Sequence, residues 1–216
     1  MTEPVAVAAP AASATDAHDA EAAARGVAVF DTAIGHCSLA WGPHGLVGVQ
    51  LPEVDGSAEA KRARMIRDFP HLAEVPEAQR PPAVRAAVDA IVSLLSDRSA
   101  TDPAGVDAAV LAIVLDEEGV PPFHRRVYDF VRRIPPGETK TYGEIAEALG
   151  DKTLARAVGQ ALGANPFAPV VPCHRVLGAK GWQGGFSAPG GPMLKLRMLA
   201  IEGAAPGGQP SLFDER

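Results

Sequence analysis

The sequence predicts an α+β protein, and three observations carry that prediction. Short β-patterned runs and one clear helical stripe fill the first half, whereas the second half shows successive helical stripes with almost no strand signal. Charge divides along the same line: between Phe123 and Glu202 there are 11 Lys+Arg against 6 Asp+Glu, while the remainder holds 9 against 20, within a net charge of −6. Such asymmetry suits a polyanion-binding unit joined to an acidic one. With 216 residues the chain can bury one large or two small cores. The expected division is a disordered Ala-rich leader over 1–24, an α/β domain over 25–117, a mostly helical domain over 118–205 and a flexible tail over 206–216.

The elements follow in order. Val27-Ala-Val-Phe30, Cys37-Ser-Leu-Ala-Trp41 and Leu46-Val-Gly-Val-Gln-Leu51 are apolar or alternating and are separated by Gly-containing turns, of which Gly42-Pro-His-Gly45 has hairpin length. Three antiparallel strands are expected. The segment with Met65, Ile66 and Phe69 reads as a short helix. Pro81-Pro82 opens a longer one, with Val84, Ala87, Val88, Ile91, Leu94 and Leu95 on one face. The apolar run Val110 to Leu115 is expected to add a strand before Asp116-Glu-Glu-Gly119.

After Pro121-Pro122, Phe123, Val127, Phe130, Val131 and Ile134 trace a helix stopped by Pro135-Pro136-Gly137. Thr141-Tyr-Gly-Glu144 has capping-box spacing. Tyr142, Ile145, Ala146 and Leu149 then repeat at helical intervals up to Gly150, and Leu154, Ala157, Val158, Ala161 and Leu162 mark the next helix. Two short amphipathic helices across a tight turn are a helix-turn-helix candidate. The outer face of the second helix carries Ala155, Arg156, Gly159 and Gln160. A major-groove reader projects several long polar side chains at base edges; this nearly smooth face suits close backbone approach to DNA without sequence readout.

Two cysteines rule out a disulfide framework. Cys37 reads as strand filler. Cys173 lies in Pro172-Cys-His-Arg-Val176, where neighbouring positive charge enriches the nucleophilic thiolate. A buried structural thiol is the plainer alternative for such a residue. The six histidines show no metal-ligand spacing, so neither metal nor other cofactor is expected.

The Pro-Cys-His-Arg-Val signature with its upstream Asn165-Pro resembles the active-site signature of the O6-alkylguanine-DNA alkyltransferases, the methylated-DNA–protein-cysteine methyltransferases. Phe123-His-Arg-Arg-Val127, Pro136-Gly-Glu138, Thr141-Tyr-Gly-Glu-Ile-Ala146 and Ala155-Arg-Ala-Val-Gly159 match successive family blocks, and Asp31-Thr-Ala-Ile-Gly35 resembles the family's opening strand-turn. The resemblance, over roughly residues 26–205, implies a ribonuclease-H-like first domain and a winged-helix-like second one. It implies direct-reversal repair: irreversible, single-turnover transfer of an alkyl group from O6-alkylguanine, and from O4-alkylthymine, in double-stranded DNA to Cys173.

By the same resemblance, His174 is the base acting through a water and Glu202 the carboxylate that orients it, a thiol version of the nucleophile–base–carboxylate pattern. Asn165 bridges the helix-turn-helix to the active-site strand. Tyr142 lies beside the target nucleotide, Arg156 fills the gap left by the extruded base, and Ala155 and Gly159 allow close DNA approach. Val176 lines the guanine pocket with Phe186 and Ser187, while Arg175 makes structural bonds. Phe186 is a departure, since many relatives carry a tyrosine there whose hydroxyl assists the leaving guanine.

Beyond a Pro/Gly linker, Gln209-Pro-Ser-Leu-Phe213 resembles the bacterial sliding-clamp-binding peptide, with Gln209, Leu212 and Phe213 as its contacts. No apolar run is long enough to span a bilayer, and the start of the chain lacks the basic residues of secretory or transit peptides. A cytoplasmic monomer is expected. The competing reading is a non-catalytic damage binder or a helix-turn-helix regulator; the former lacks an acceptor cysteine in this family, and the latter should show base-reading side chains.

Overall fold

The computed structural model describes residues 24–96, 102–179 and 185–204. Three strands, β1 (Gly26–Phe30), β2 (Cys37–Gly42) and β3 (Gly45–Gln50), form an antiparallel meander in the order β1-β2-β3. Gly26 pairs with Trp41, Phe30 with Cys37, Ser38 with Gln50 and Gly42 with Gly45. Every residue of β1 is buried, which explains its unbroken apolar sequence. Gly45 has no substitute. Its φ is +133° and an added Cβ would stand 2.6 Å from the Val114 carbonyl oxygen.

Helix α1 (Ala58–Asp68) starts at Ser57, whose hydroxyl accepts from the Ala60 amide at 3.1 Å. Helix α2 (Pro82–Leu94) carries proline at its first position, where the missing N–H is harmless. Its expected stripe from Val84 to Leu95 is buried throughout.

The strand expected from Val110 to Leu115 is a correction. Residues Pro103–Ala112 form helix α3, and only Leu115 makes a bridge, parallel to Leu46. Val110 and Ile113, three apart, are buried whereas Leu111 and Val114 are exposed, a helical rather than a strand pattern. The Arg132 guanidinium closes α3 by donating to the carbonyls of Val110, Leu111 and Ile113 at 3.0–3.2 Å.

The second half contains α4 (Pro122–Val131), β4 (Lys140–Thr141), α5 (Tyr142–Ala148), α6 (Ala155–Gly163), a 3₁₀ turn (Cys173–Arg175), β5 (Val176–Leu177) and α7 (Gly191–Ile201). The capping box is present in full: the Glu144 amide donates to Thr141 Oγ1 and the Thr141 amide to Glu144 Oε2. Gly150 follows α5 with φ +106° and lets the chain reverse. A further 3₁₀ turn, Lys152–Leu154, separates α5 from α6. Parallel pairing of Lys140 with Val176 and Thr141 with Leu177 ties the start of α5 to the segment after Cys173.

Buried side chains gather chiefly into two clusters. One joins the meander to α2 and α3 and reaches Val170 and Met198; the other joins α4, α5 and α6 with Phe167, Val171 and Val176. They meet where the Val49 amide donates to the Pro166 carbonyl at 2.7 Å. Among the described residues, no helix is long and apolar enough to cross a membrane. The tail residues Gln209, Leu212 and Phe213 lie outside the described residues.

Candidate active site

Asn165 builds the approach to Cys173. Its Nδ2 donates to the Val171 carbonyl at 2.8 Å and its Oδ1 accepts from the Phe167 amide at 2.9 Å, so one side chain satisfies two backbone groups of a non-repetitive segment. Val170 and Val171 are buried and pull that segment inward. The 3₁₀ turn then directs Cys173 outward, half-buried, and His174 and Arg175 inward, both buried.

Beneath the turn lies an ion-paired relay. His174 Nε2 and Glu202 Oε1 are 2.8 Å apart. Arg175 donates through Nε to Glu202 Oε2 at 2.9 Å, through Nη2 to Oε1 at 2.8 Å and through Nη1 to the Ile134 carbonyl at 2.6 Å. Glu202 caps the C-terminus of α7 and is 4% exposed. Burial opposes its ionisation, yet His174 and Arg175 together hold it down to about 2. Burial also pushes His174 below its ordinary range against the pull of Glu202.

These directions assign the tautomer. An ionised carboxylate can only accept, so the neutral imidazole must carry its proton on Nε2. Nδ1 is then a bare acceptor, and it has no hydrogen-bond partner among the described residues. Burial raises the Cys173 thiol; the Asn165 side chain, the Lys195 charge and the amides of Cys173 and His174 pull it back. Such a thiol needs a base, and the relay presents one next to it in the chain.

Cys173 opens into a cavity of about 760 Å³. Tyr142, Gly159, Asn165, Phe186 and Ser187 line it. A Cβ on Gly159 would meet the Tyr142 ring at 3.8 Å, an ordinary van der Waals contact. Other expected site residues lie elsewhere. Val176 is wholly buried in the second cluster and is not a lining residue, because its β5 backbone pairs with β4 and turns it inward. Ala155 packs against that cluster, and Arg156 is exposed on α6 outside the cavity.

Sequence reasoning missed two contributions. The facing wall comes from β3 and α1, through Gln50, Arg64, Asp68 and Phe69. Lys195 was also missed. It is 0% exposed and donates to the Val176 carbonyl at 2.7 Å. Lys195, Met198, Leu199 and Glu202 fall at i, i+3, i+4 and i+7 and all are buried, so a lysine on the apolar face of α7 was the available signal. No three His, Cys, Asp or Glu side chains among the described residues are placed to hold a metal ion.

The site thus sets a half-buried thiol next in the chain to a buried histidine–carboxylate pair, in a mixed α/β frame. Residues 122–204 match the family model for the 6-O-methylguanine DNA methyltransferase DNA-binding domain. The methylated-DNA–protein-cysteine methyltransferase of Mycolicibacterium paratuberculosis is 50% identical over 92 residues, which are 43% of this chain and 54% of that protein. The chain thus spans about half the length of the curated relatives it matches. The O6-methylguanine methyltransferase structure from Mycobacterium tuberculosis is 31% identical, with a TM-score of 0.58, and the match covers 88% of this chain and 99% of that one. The Mycobacterium tuberculosis OGT in complex with DNA is 30% identical, with a TM-score of 0.59, over 82% of this chain and 92% of that one. The chain belongs to the methylated-DNA–protein-cysteine methyltransferase family.

Proposed function

We propose that this protein repairs O6-alkylguanine, and O4-alkylthymine, in double-stranded DNA by direct alkyl transfer to Cys173. The observation that carries the reading is an orphaned His174 Nδ1 one residue along the chain from a cavity-lining thiol, with Nε2 fixed by Glu202. Adjacent residues pair poorly in direct contact, so the Cys173 proton passes through one bridging water to Nδ1. Glu202 then stabilises the imidazolium. The thiolate attacks the alkyl carbon, a C–S bond forms, the bond from that carbon to O6 breaks, and guanine leaves with the electron pair. The proton taken up by the guanine balances the one lost by the thiol. The thioether product offers no carbonyl for hydrolysis, so each molecule acts once.

Exposed Arg156 on the nearly smooth face of α6 supports a DNA mode in which the helix-turn-helix made by α5 and α6 enters the minor groove. Arg156 takes the place of the extruded nucleotide, with Ala155 and Gly159 giving clearance and Tyr142 beside the base. Phe186 supplies an apolar wall without a hydroxyl donor, and Ser187, next in the chain and lining the same cavity, carries one. We read the first unit as ribonuclease-H-like and the second as winged-helix-like, in a cytoplasmic monomer. Gln209, Leu212 and Phe213 are assigned as a sliding-clamp ligand on sequence alone. The presence of Cys173 weighs against a damage-binding protein without transfer.

The test is intact-mass spectrometry after incubation with duplex DNA containing O6-methylguanine. One methyl-sized gain is expected, mapped to Cys173 and absent from Cys37, whose deep burial pushes its thiol up to about 12. Cys173→Ala should bind DNA and gain nothing. A full adduct in that variant would overturn the assignment.

A further inference from the structure

Five large apolar side chains are exposed among the described residues, and two of them, Val54 (83%) and Met193 (68%), line the same groove. Single exposed apolar groups are ordinary. A shared concave surface of about 520 Å³ that also holds Ile34, Leu194 and Ile201 calls for an occupant. Its charge says what kind. Glu53 is part of the lining but is paired with Lys61 at 2.9 Å and with Arg64 at 3.3 Å. Arg197 lines the groove as an exposed cation, donating to the Ala33 carbonyl. Helix α7 opens there too: Gly190 lines the groove, has no side chain to cap the helix, and is followed by a first turn without an acidic residue. Orphan amides at a helix start attract negative charge. The groove therefore suits a segment in which apolar and acidic groups are adjacent.

We infer that this groove docks the chain's own tail, with Leu212 and Phe213 on its apolar surface and Asp214 and Glu215 toward Arg197 and the start of α7. The tail has the required order, two apolar residues followed directly by two acids. It also starts close by. Ile201 lines the groove, and three residues later the Gly203 amide donates to the Ala200 carbonyl at 3.0 Å and the Ala204 amide to the Leu199 carbonyl at 2.9 Å. These two bonds, with Gly203 at φ +71°, end α7 and turn the backbone back beside its last turn. Crossing α7, about 10 Å wide, and following it from Ile201 to Met193, about 12 Å, amounts to about 22 Å, whereas the eight residues from Ala204 to Leu212 extend to about 26 Å. Pro206-Gly-Gly208 gives that connection its freedom. The other end of the chain enters elsewhere, since Ala24 lines a separate groove with Trp41 and Val84. A short tether raises the tail's effective concentration above that of a second copy. Leu212 and Phe213 are also the contacts of the clamp assignment, so a docked tail is withheld from such a partner and only the undocked fraction can bind it. Docking itself depends neither on that assignment nor on alkyl transfer.

The test reads the ε-methyl NMR resonance of Met193 in the full chain, labelled at its methionine methyl groups. Leu212→Ser with Phe213→Ser leaves every described residue unchanged and takes the aromatic ring out of the groove. The Met193 methyl should then move by more than its linewidth, while the buried Met65 and Met198 methyls stay in place. A synthetic peptide of residues 205–216, added to that variant, should return the Met193 resonance toward its wild-type position. An unmoved Met193 methyl overturns the proposal. So does a wild-type position that changes with protein concentration, which would give the groove to a second copy. From the other side, Met193→Glu alters an exposed position and should release the tail. Amide exchange over residues 205–216, followed by mass spectrometry, should become at least about tenfold faster than in the wild type, and equal rates overturn the proposal. Neither readout involves DNA, the Cys173 thiol or a clamp, so a shifted Met193 in a protein that fails to repair O6-methylguanine would sink only the functional reading.

Discussion

At the scale of single residues, the relay makes stability depend on pH in a defined direction. His174 is depressed in the folded state, so below its ordinary value near 6.5 the unfolded chain takes up a proton that the folded one refuses. Stability therefore begins to fall as the solution is acidified through that value. Glu202, with an ordinary value of 4.5 and a folded value of about 2, adds a second loss that grows as pH falls through this interval. Denaturant melts should show both limbs. His174→Gln should flatten the upper limb and shrink the lower one, because His174 is a main cause of the lowered Glu202, and a wild-type curve level from pH 7 to 5 would contradict the neutral-imidazole assignment. Arg175 adds to this balance, because its two bonds to Glu202 lower the carboxylate alongside His174.

At the scale of elements, helix α6 divides its labour. Its inner face packs Val158, Ala161 and Leu162, its next positions, Gly159 and Gly163, border the cavity, and Arg156 alone reaches outward as a long cation. Arg156→Ala should slow repair of duplex DNA at least about tenfold more than reaction with free O6-benzylguanine, since only the duplex requires a base to be extruded at a cost of a few kcal/mol. Equal losses, measured as second-order rates on the two substrates, would place Arg156 in folding or chemistry. Elements with local signals were readable from the sequence: the capping box at Thr141, the proline starts at Pro82 and Pro122, the hairpin at Pro43-His44. Helix α3 was not, because Val110 to Leu115 is apolar enough to pass for a strand, although Asp102-Pro103 carries a helix-start signature that outweighs it. The β4–β5 pair joins two-residue strands far apart in sequence, and nothing local announces it.

At the scale of the whole molecule, the site is a composite. Cys173, His174 and Asn165 come from one non-repetitive stretch and were legible as a motif. Glu202 and Lys195 reach the same turn from α7, and Gln50 and Phe69 reach the cavity from β3 and its neighbouring helix, contacts that only the fold creates. Val176 shows the converse error, a motif residue whose strand turns it into the core. The tail belongs to this scale too. Leu212→Ala with Phe213→Ala should abolish binding of the chain to a bacterial sliding clamp while leaving methyl transfer to short oligonucleotides unchanged, because tethering raises local concentration without new contacts at the site. Fluorescence polarisation of the isolated tail at high micromolar clamp should report that binding, and a flat titration would remove the assignment.

The facing wall of the cavity has a practical consequence for anyone seeking small molecules against this protein. A recombinant fragment confined to residues 118–205 would carry Cys173, His174 and Glu202 but would uncover Val170 and Met198, which pack into the first cluster. It would also lose Gln50, Arg64, Asp68 and Phe69, and with them the polar contact between Gln50 and Asp68 that shapes one side of the chamber. Compounds selected on such a fragment would be fitted to an open trough, whereas those selected on the intact chain could exploit the first-half side chains that line the cavity.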